Sequence, residues 1–122
     1  MRDRIVEFDL AEQGRVLVAR FAGEVDASNA GELRLVISER LPATATGLVL
    51  DLSAVTYLDS SGIHLLFDLG RRLRARRQAV RLVVPEGAPV RRVLALCNVD
   101  GVAPMETSAT AAVRAIEAGA EL

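Results

Sequence analysis

Lysine and tryptophan are absent from the 122 residues, and cysteine, histidine and tyrosine occur once each, as Cys97, His64 and Tyr57. Each shortage excludes something. A single cysteine closes no internal disulfide, and one cysteine with one histidine is too few for a structural zinc site. Aromatic residues make up 3% of the chain, so the core must be aliphatic. Charge of one sign is also lacking. Fifteen arginines face 16 acids for a net charge of −1, which gives no general attraction to a polyanion. No apolar run approaches the ~20 residues that span a bilayer. The opening Met1-Arg2-Asp3-Arg4-Ile5-Val6-Glu7 has no signal-peptide core. The expectation is a soluble cytoplasmic protein with no metal, no cofactor, no direct nucleic-acid partner and no membrane segment.

Hydrophobic residues form 51% of the chain and charged residues 25%, the balance of a folded domain. The length suits one domain covering residues 1–122. Ile5–Leu10 alternates as a strand, Ala11–Gly14 reads as a turn, and Arg15–Phe21 as a second strand. So short a connection makes the pair an antiparallel hairpin. A helix is predicted from Asp26 or Ser28, with Ala30, Leu33, Ile37 and Leu41 on one face and Ser28 as its cap. Leu48–Leu52 has the continuous apolar character of a strand buried on both faces. A loop from Ser53 to Ser60 then leads into a second helix lined by Ile63, Leu66, Phe67 and Leu73. Val80–Val84 is a further buried strand. Gly87–Cys97 reads as a helix with Val90, Val93, Leu94 and Cys97 inward, Asn98–Gly101 as a turn and Val102–Glu106 as a strand. Thr107 or Ser108 caps a last helix through Ala112, Val113 and Ile116. The order ββαβαβαβα predicts an α/β domain with a mixed, mostly parallel sheet.

Leu58-Asp59-Ser60-Ser61-Gly62-Ile63 lies past the carboxyl end of a buried strand and at the amino end of a helix, where reactive groups collect in open α/β sheets. A helix amino terminus tolerates an added phosphate, and the glycine admits a close backbone approach, so the two hydroxyls suit a phosphoacceptor. Capping alone selects the same residue types. Both readings stand on the residues.

The run Leu48-Val49-Leu50-Asp51-Leu52-Ser53-Ala54-Val55-Thr56-Tyr57-Leu58-Asp59-Ser60-Ser61-Gly62 resembles the signature of STAS domains, specifically of bacterial anti-sigma factor antagonists. Upstream, Gly23-Glu24-Val25-Asp26 followed by Ala30 and Leu33-Arg34 is similar to the family's other marker. The hairpin start and the closing Val99-Asp100-Gly101-Val102 agree with it. The resemblance implies a partner switch. An unphosphorylated antagonist binds an anti-sigma factor that is also a GHKL-type serine kinase, and a sigma factor is released. The kinase phosphorylates the second serine of Asp-Ser-Ser-Gly, here Ser61, and a serine phosphatase resets it. Asp26, Asp59, Ser60, Ser61, Gly62 and Ile63 are carried over as the partner-binding residues. In place of the small residue common two positions after the motif glycine, this chain has His64. The resemblance also admits a role without phosphorylation, as a scaffold or accessory subunit of a transport or sensory assembly.

Three other readings fit less well. A receiver domain starts strand–helix–strand and needs a lysine near its last strands. A serine hydrolase pairing Ser61 with His64 lacks the Gly-x-Ser-x-Gly elbow. The arginines at 71, 72, 74, 76, 77 and 81 are read as a solvated helix end or a docking patch for an acidic surface, since no aromatic or groove-reading groups accompany them. Cys97 is read as packing.

Overall fold

In the computed structural model, which describes residues 7–120, the chain begins with β1 (Glu7–Gln13) and β2 (Val16–Val25) and then α1 (Ala30–Arg40). β3 (Gly47–Leu58), α2 (Ser60–Ala75), β4 (Ala79–Val83) and α3 (Arg91–Leu96) follow. A 3-10 turn at Val99–Gly101, β5 (Met105–Glu106) and α4 (Ala109–Ala120) complete it. The five strands form one sheet in the order β1-β2-β3-β4-β5, with β1 antiparallel and the others parallel. The expected mixed α/β architecture with an amino-terminal hairpin is therefore the observed one. The part of the predicted first strand before Glu7 lies outside the described residues.

Strand alternation sorts the core into two layers. Leu17, Ala19 and Phe21 of β2, Leu48, Leu50 and Leu52 of β3, and Leu82 of β4 all belong to the layer under α1, α2 and α3. Val16, Val18, Val49 and Val83 point the other way, onto Ala112, Val113 and Ile116 of α4. A strand apolar on both sides cannot leave either face to water, which explains the continuous run at Leu48–Leu52. The parallel crossovers keep α1 and α2 on one face, as right-handed connections between neighbouring strands require.

Several boundaries differ from the sequence expectation, each for a local reason. The first turn is only Gly14-Arg15, since Gln13 pairs with Val16, and Gly14 takes φ of 61° to close it. α1 starts at Ala30, with Asn29 in the cap position, rather than at Asp26 or Ser28, and Ser28 does not cap it. Its hydroxyl binds the Asp26 carboxylate instead. β3 runs on to Leu58 where a loop was expected. Register shifts against β2 after Arg20 and after Gly23 absorb two extra residues of β3, and Gly23 sits at φ 108°. Such bulges break the alternation that marks a strand in sequence. Pro104, with no N–H to donate, confines β5 to two residues.

Cys97 corrects another expectation. α3 spans only six residues and buries Leu94 alone, so Cys97 falls at its carboxyl end and is exposed. Val99 takes the inward place. A thiol reagent such as dithionitrobenzoate should therefore modify Cys97 fully in the native protein, within about tenfold of its rate in denaturant. Modification that waits for unfolding would return Cys97 to the core.

Candidate functional site

β4 pairs with β3 only along Gly47–Asp51, so the second half of β3 continues along β2 past the end of β4. This extension ends with Val25 beside Leu58. From there β2 turns into the loop before α1, and β3 turns through Asp59 into α2. The topology thus brings both sequence markers to one place.

A single carboxylate fastens them. Asp59 Oδ1 accepts the Ser61 and Gly62 amides at 2.8 and 3.1 Å, capping α2. Its Oδ2 accepts the Ala27 amide across the junction at 3.3 Å, and its own N–H donates to the Val25 carbonyl, also at 3.3 Å. The opposing loop braces itself. Asp26 Oδ1 accepts the Ser28 amide at 2.9 Å and its hydroxyl at 2.6 Å. Asn29 accepts the Asp26 amide through Oδ1 at 3.0 Å and donates through Nδ2 to the Glu24 carbonyl at 2.9 Å. Gly62 leaves the room this needs, because a Cβ there would lie 2.9 Å from the Val25 carbonyl oxygen.

This arrangement separates the two roles that the sequence left entangled. Asp59 does the capping. Ser60 is exposed and Ser61 half-buried, and among the described residues no hydrogen bond engages either hydroxyl. Asp26 and Asp59 are half-buried, while Gly62 and Ile63 are buried. Ile63 packs in the core, so its contribution to any surface is through the backbone of the first helical turn.

Ser61 opens onto a cleft of about 420 Å³ between α1 and α2, shared with Gly31, Arg34, His64, Asp68 and Arg71. His64 is exposed, and no hydrogen bond joins it to Ser61 or to a carboxylate among the described residues. That is not the geometry of an activated serine. No cluster of metal-ligating side chains occurs among the described residues, and none of their helices is long and apolar enough to cross a membrane. The arginine run divides, with Arg76, Arg77 and Arg81 lining a separate cleft with Arg15. Arg71 lies 5.7 Å over the Phe67 ring, Arg72 pairs with Asp68 at 3.7 Å, Arg74 reaches the Gly101 carbonyl at 3.4 Å and Arg81 binds Glu106 at 2.7 Å.

Sequence reasoning missed two features of the site. Asn29, the brace of the α1 loop, is an asparagine at a helix start, a recognisable signal that Asp26 and Ser28 obscured. Tyr57, paired in register with Glu24 and 50% exposed, stands at the rim, its strand position hidden by the bulges.

The sequence model of the STAS domain matches residues 7–112. Anti-sigma-F factor antagonist RsfB of Mycobacterium tuberculosis is 34% identical over 92 residues, 75% of this chain and 73% of that protein. The crystal structure of an anti-sigma factor antagonist from Mycobacterium paratuberculosis superimposes with a TM-score of 0.83 at 25% identity, over 95% of this chain and 97% of that one. SpoIIAA in its unphosphorylated form gives 0.69 at 23% identity, covering 95% of this chain and all of its own (100%). Its phosphorylated form from Bacillus gives 0.69 at 24%, covering 89% and 99%.

Proposed function

The chain belongs to the STAS domain family, and from that premise we propose that it is an anti-sigma factor antagonist, a phosphorylation-controlled protein-binding switch and not a catalyst. The whole chain acts in the cytoplasm as one STAS domain. With Ser61 bare, the protein docks on an anti-sigma factor with GHKL-type serine kinase activity and frees a sigma factor. Phosphorylation of Ser61 ends the complex, and a serine phosphatase restores the bare form. The docking surface combines the loop at 23–28, the Asp59–Ile63 turn and the start of α2, with Tyr57 as an exposed aromatic anchor at its rim.

One observation carries this reading: Asp59 satisfies the amides of the first helical turn, so the Ser61 hydroxyl is left unengaged beside the cleft. A nucleophile needed for capping would be unavailable to a kinase. The test is phosphosite mapping. With the cognate kinase and Mg-ATP, mass spectrometry should find one phosphate, on Ser61. A bare Ser61 with another residue modified refutes the assignment.

A further inference from the structure

The cleft beside Ser61 is lined by groups that a bare hydroxyl does not use. Ser61, His64 and Asp68 stand at i, i+3 and i+7 of α2 and so share one face of the helix. Across the cleft, Arg34 of α1 reaches Asp68 Oδ2 at 3.5 Å, with both side chains partly exposed (47% and 38%). The contact is loose. Asp68 Oδ2 is shielded from solvent yet makes no hydrogen bond, and is held by charge alone from Arg34 and, at 3.7 Å, from Arg72. An ion pair of this kind holds its arginine weakly. A phosphate ester brings up to two charges and three acceptor oxygens, and arginine binds such a group in a planar, two-pronged fashion.

We propose that phosphoserine at position 61 is received within its own domain by Arg34, which leaves Asp68 for the phosphate, with His64 as a second donor from the next turn of α2. This rests on the reading of Ser61 as the phosphoacceptor and adds where the phosphate goes. Seven residues of helix place Ser61 and Asp68 about 10 Å apart along the axis, so Arg34 moves by side-chain rotation within a cleft that it already lines. Arg72 remains to balance Asp68. Arg71, a further turn along α2 and set over the Phe67 ring, is the cleft's more remote cation and serves as the control. The released form then carries its phosphate turned into the α1–α2 cleft, tying α1 to α2.

The phosphate's own titration reads this contact. Its second pKa, ordinarily about 6, is lowered by cations and raised by nearby carboxylates. Of these, Asp59 caps the same helical turn and Asp26 lies in the loop bonded to it through Ala27. Asp68 opposes it more weakly from two turns away. Because these effects have opposite signs, the comparison between variants is decisive. Phosphoserine is placed at position 61 by encoded incorporation, so that no kinase is involved, and the phosphorus resonance is titrated at low ionic strength. Arg34→Gln should raise the midpoint by about half a unit or more, and His64→Gln by a smaller amount. Arg71→Gln should leave it in place. The unmodified variants should melt with the parent. Superimposable curves for Arg34→Gln and the parent overturn the proposal. Equal shifts from Arg34→Gln and Arg71→Gln also overturn it, since they would report a general field and not a contact. If a kinase leaves Ser61 bare, the phosphoacceptor reading fails while this titration still reports what the cleft does with a phosphate.

Discussion

With one phosphate on Ser61, the protein should bind its anti-sigma partner more than about a hundredfold more weakly than the bare form, which corresponds to about 3 kcal/mol. The cause is local. Ser61 is half-buried on the first turn of α2, and the proposed docking surface includes this turn together with the Asp26 loop. The ester adds about −1.5 to −2 charges next to two carboxylates, and the partner must either desolvate that charge or leave a gap around it. Ser61→Asp supplies half the charge and none of the phosphate's bulk, so its loss should be nearer tenfold, about 1.4 kcal/mol. Ser61→Ala keeps the surface and cannot be modified, so it should remain bound when ATP is present. Calorimetry on the four forms measures all of this. Equal affinity for the bare and phosphorylated proteins would remove the switch and leave only a shared fold.

The architecture was legible because the strands carry strong signals. Leu48–Leu52 could only be buried on both sides, and the shortness of the gap between the first two strands excluded a parallel pair. The site was legible in its residues but not in its wiring. Asp59-Ser60-Ser61-Gly62 reads as cap and as acceptor, because both depend on a short polar side chain at a helix start. Only the bonds from Ser61 and Gly62 amides to Asp59 assign the capping to one residue and free the others. The second half of β3 was hidden for a different reason. Its two bulges place Ser53, Thr56 and Tyr57 out of step with any two-residue period. The link from Ala27 to Asp59, 32 residues apart, has no sequence signature at all. The arginine run was legible as a cluster but not in its pairing, since the partners of Arg72, Arg74 and Arg81 lie on α2, after α3 and on β5.

Gly62→Val should lower the melting temperature by about 10 °C, and its reason separates space from conformation. Gly62 does not have positive φ, so any residue could adopt its backbone. Alanine would even gain about 1 kcal/mol of helix propensity. The obstacle is contact: a Cβ would meet Leu58 Cδ2 at 2.8 Å and the Val25 carbonyl oxygen at 2.9 Å. The leucine tip can rotate away. The carbonyl cannot, because it also accepts the Asp59 amide and closes the end of β2 onto β3. Overpacking of this kind costs about 1–3 kcal/mol, so Gly62→Ala should lose little overall, its helix gain offsetting part of the clash. Valine has a smaller gain and adds two methyl groups, and about 3 kcal/mol in a domain of this size is roughly 10 °C. The strain acts on the junction itself. Pushing Val25 away lengthens its bond to Asp59 and draws Ala27 off the same carboxylate, so amide exchange at Asp59 and Ala27 should speed up more than in the β2–β3 core. Partner binding, measured well below the melting point, should fall with it, because the Asp26 loop and the Ser61 turn no longer present one surface. A Gly62→Val protein that melts with the parent, or that melts lower while exchange at those two amides is unchanged, would show that the two loops are not held together through this glycine.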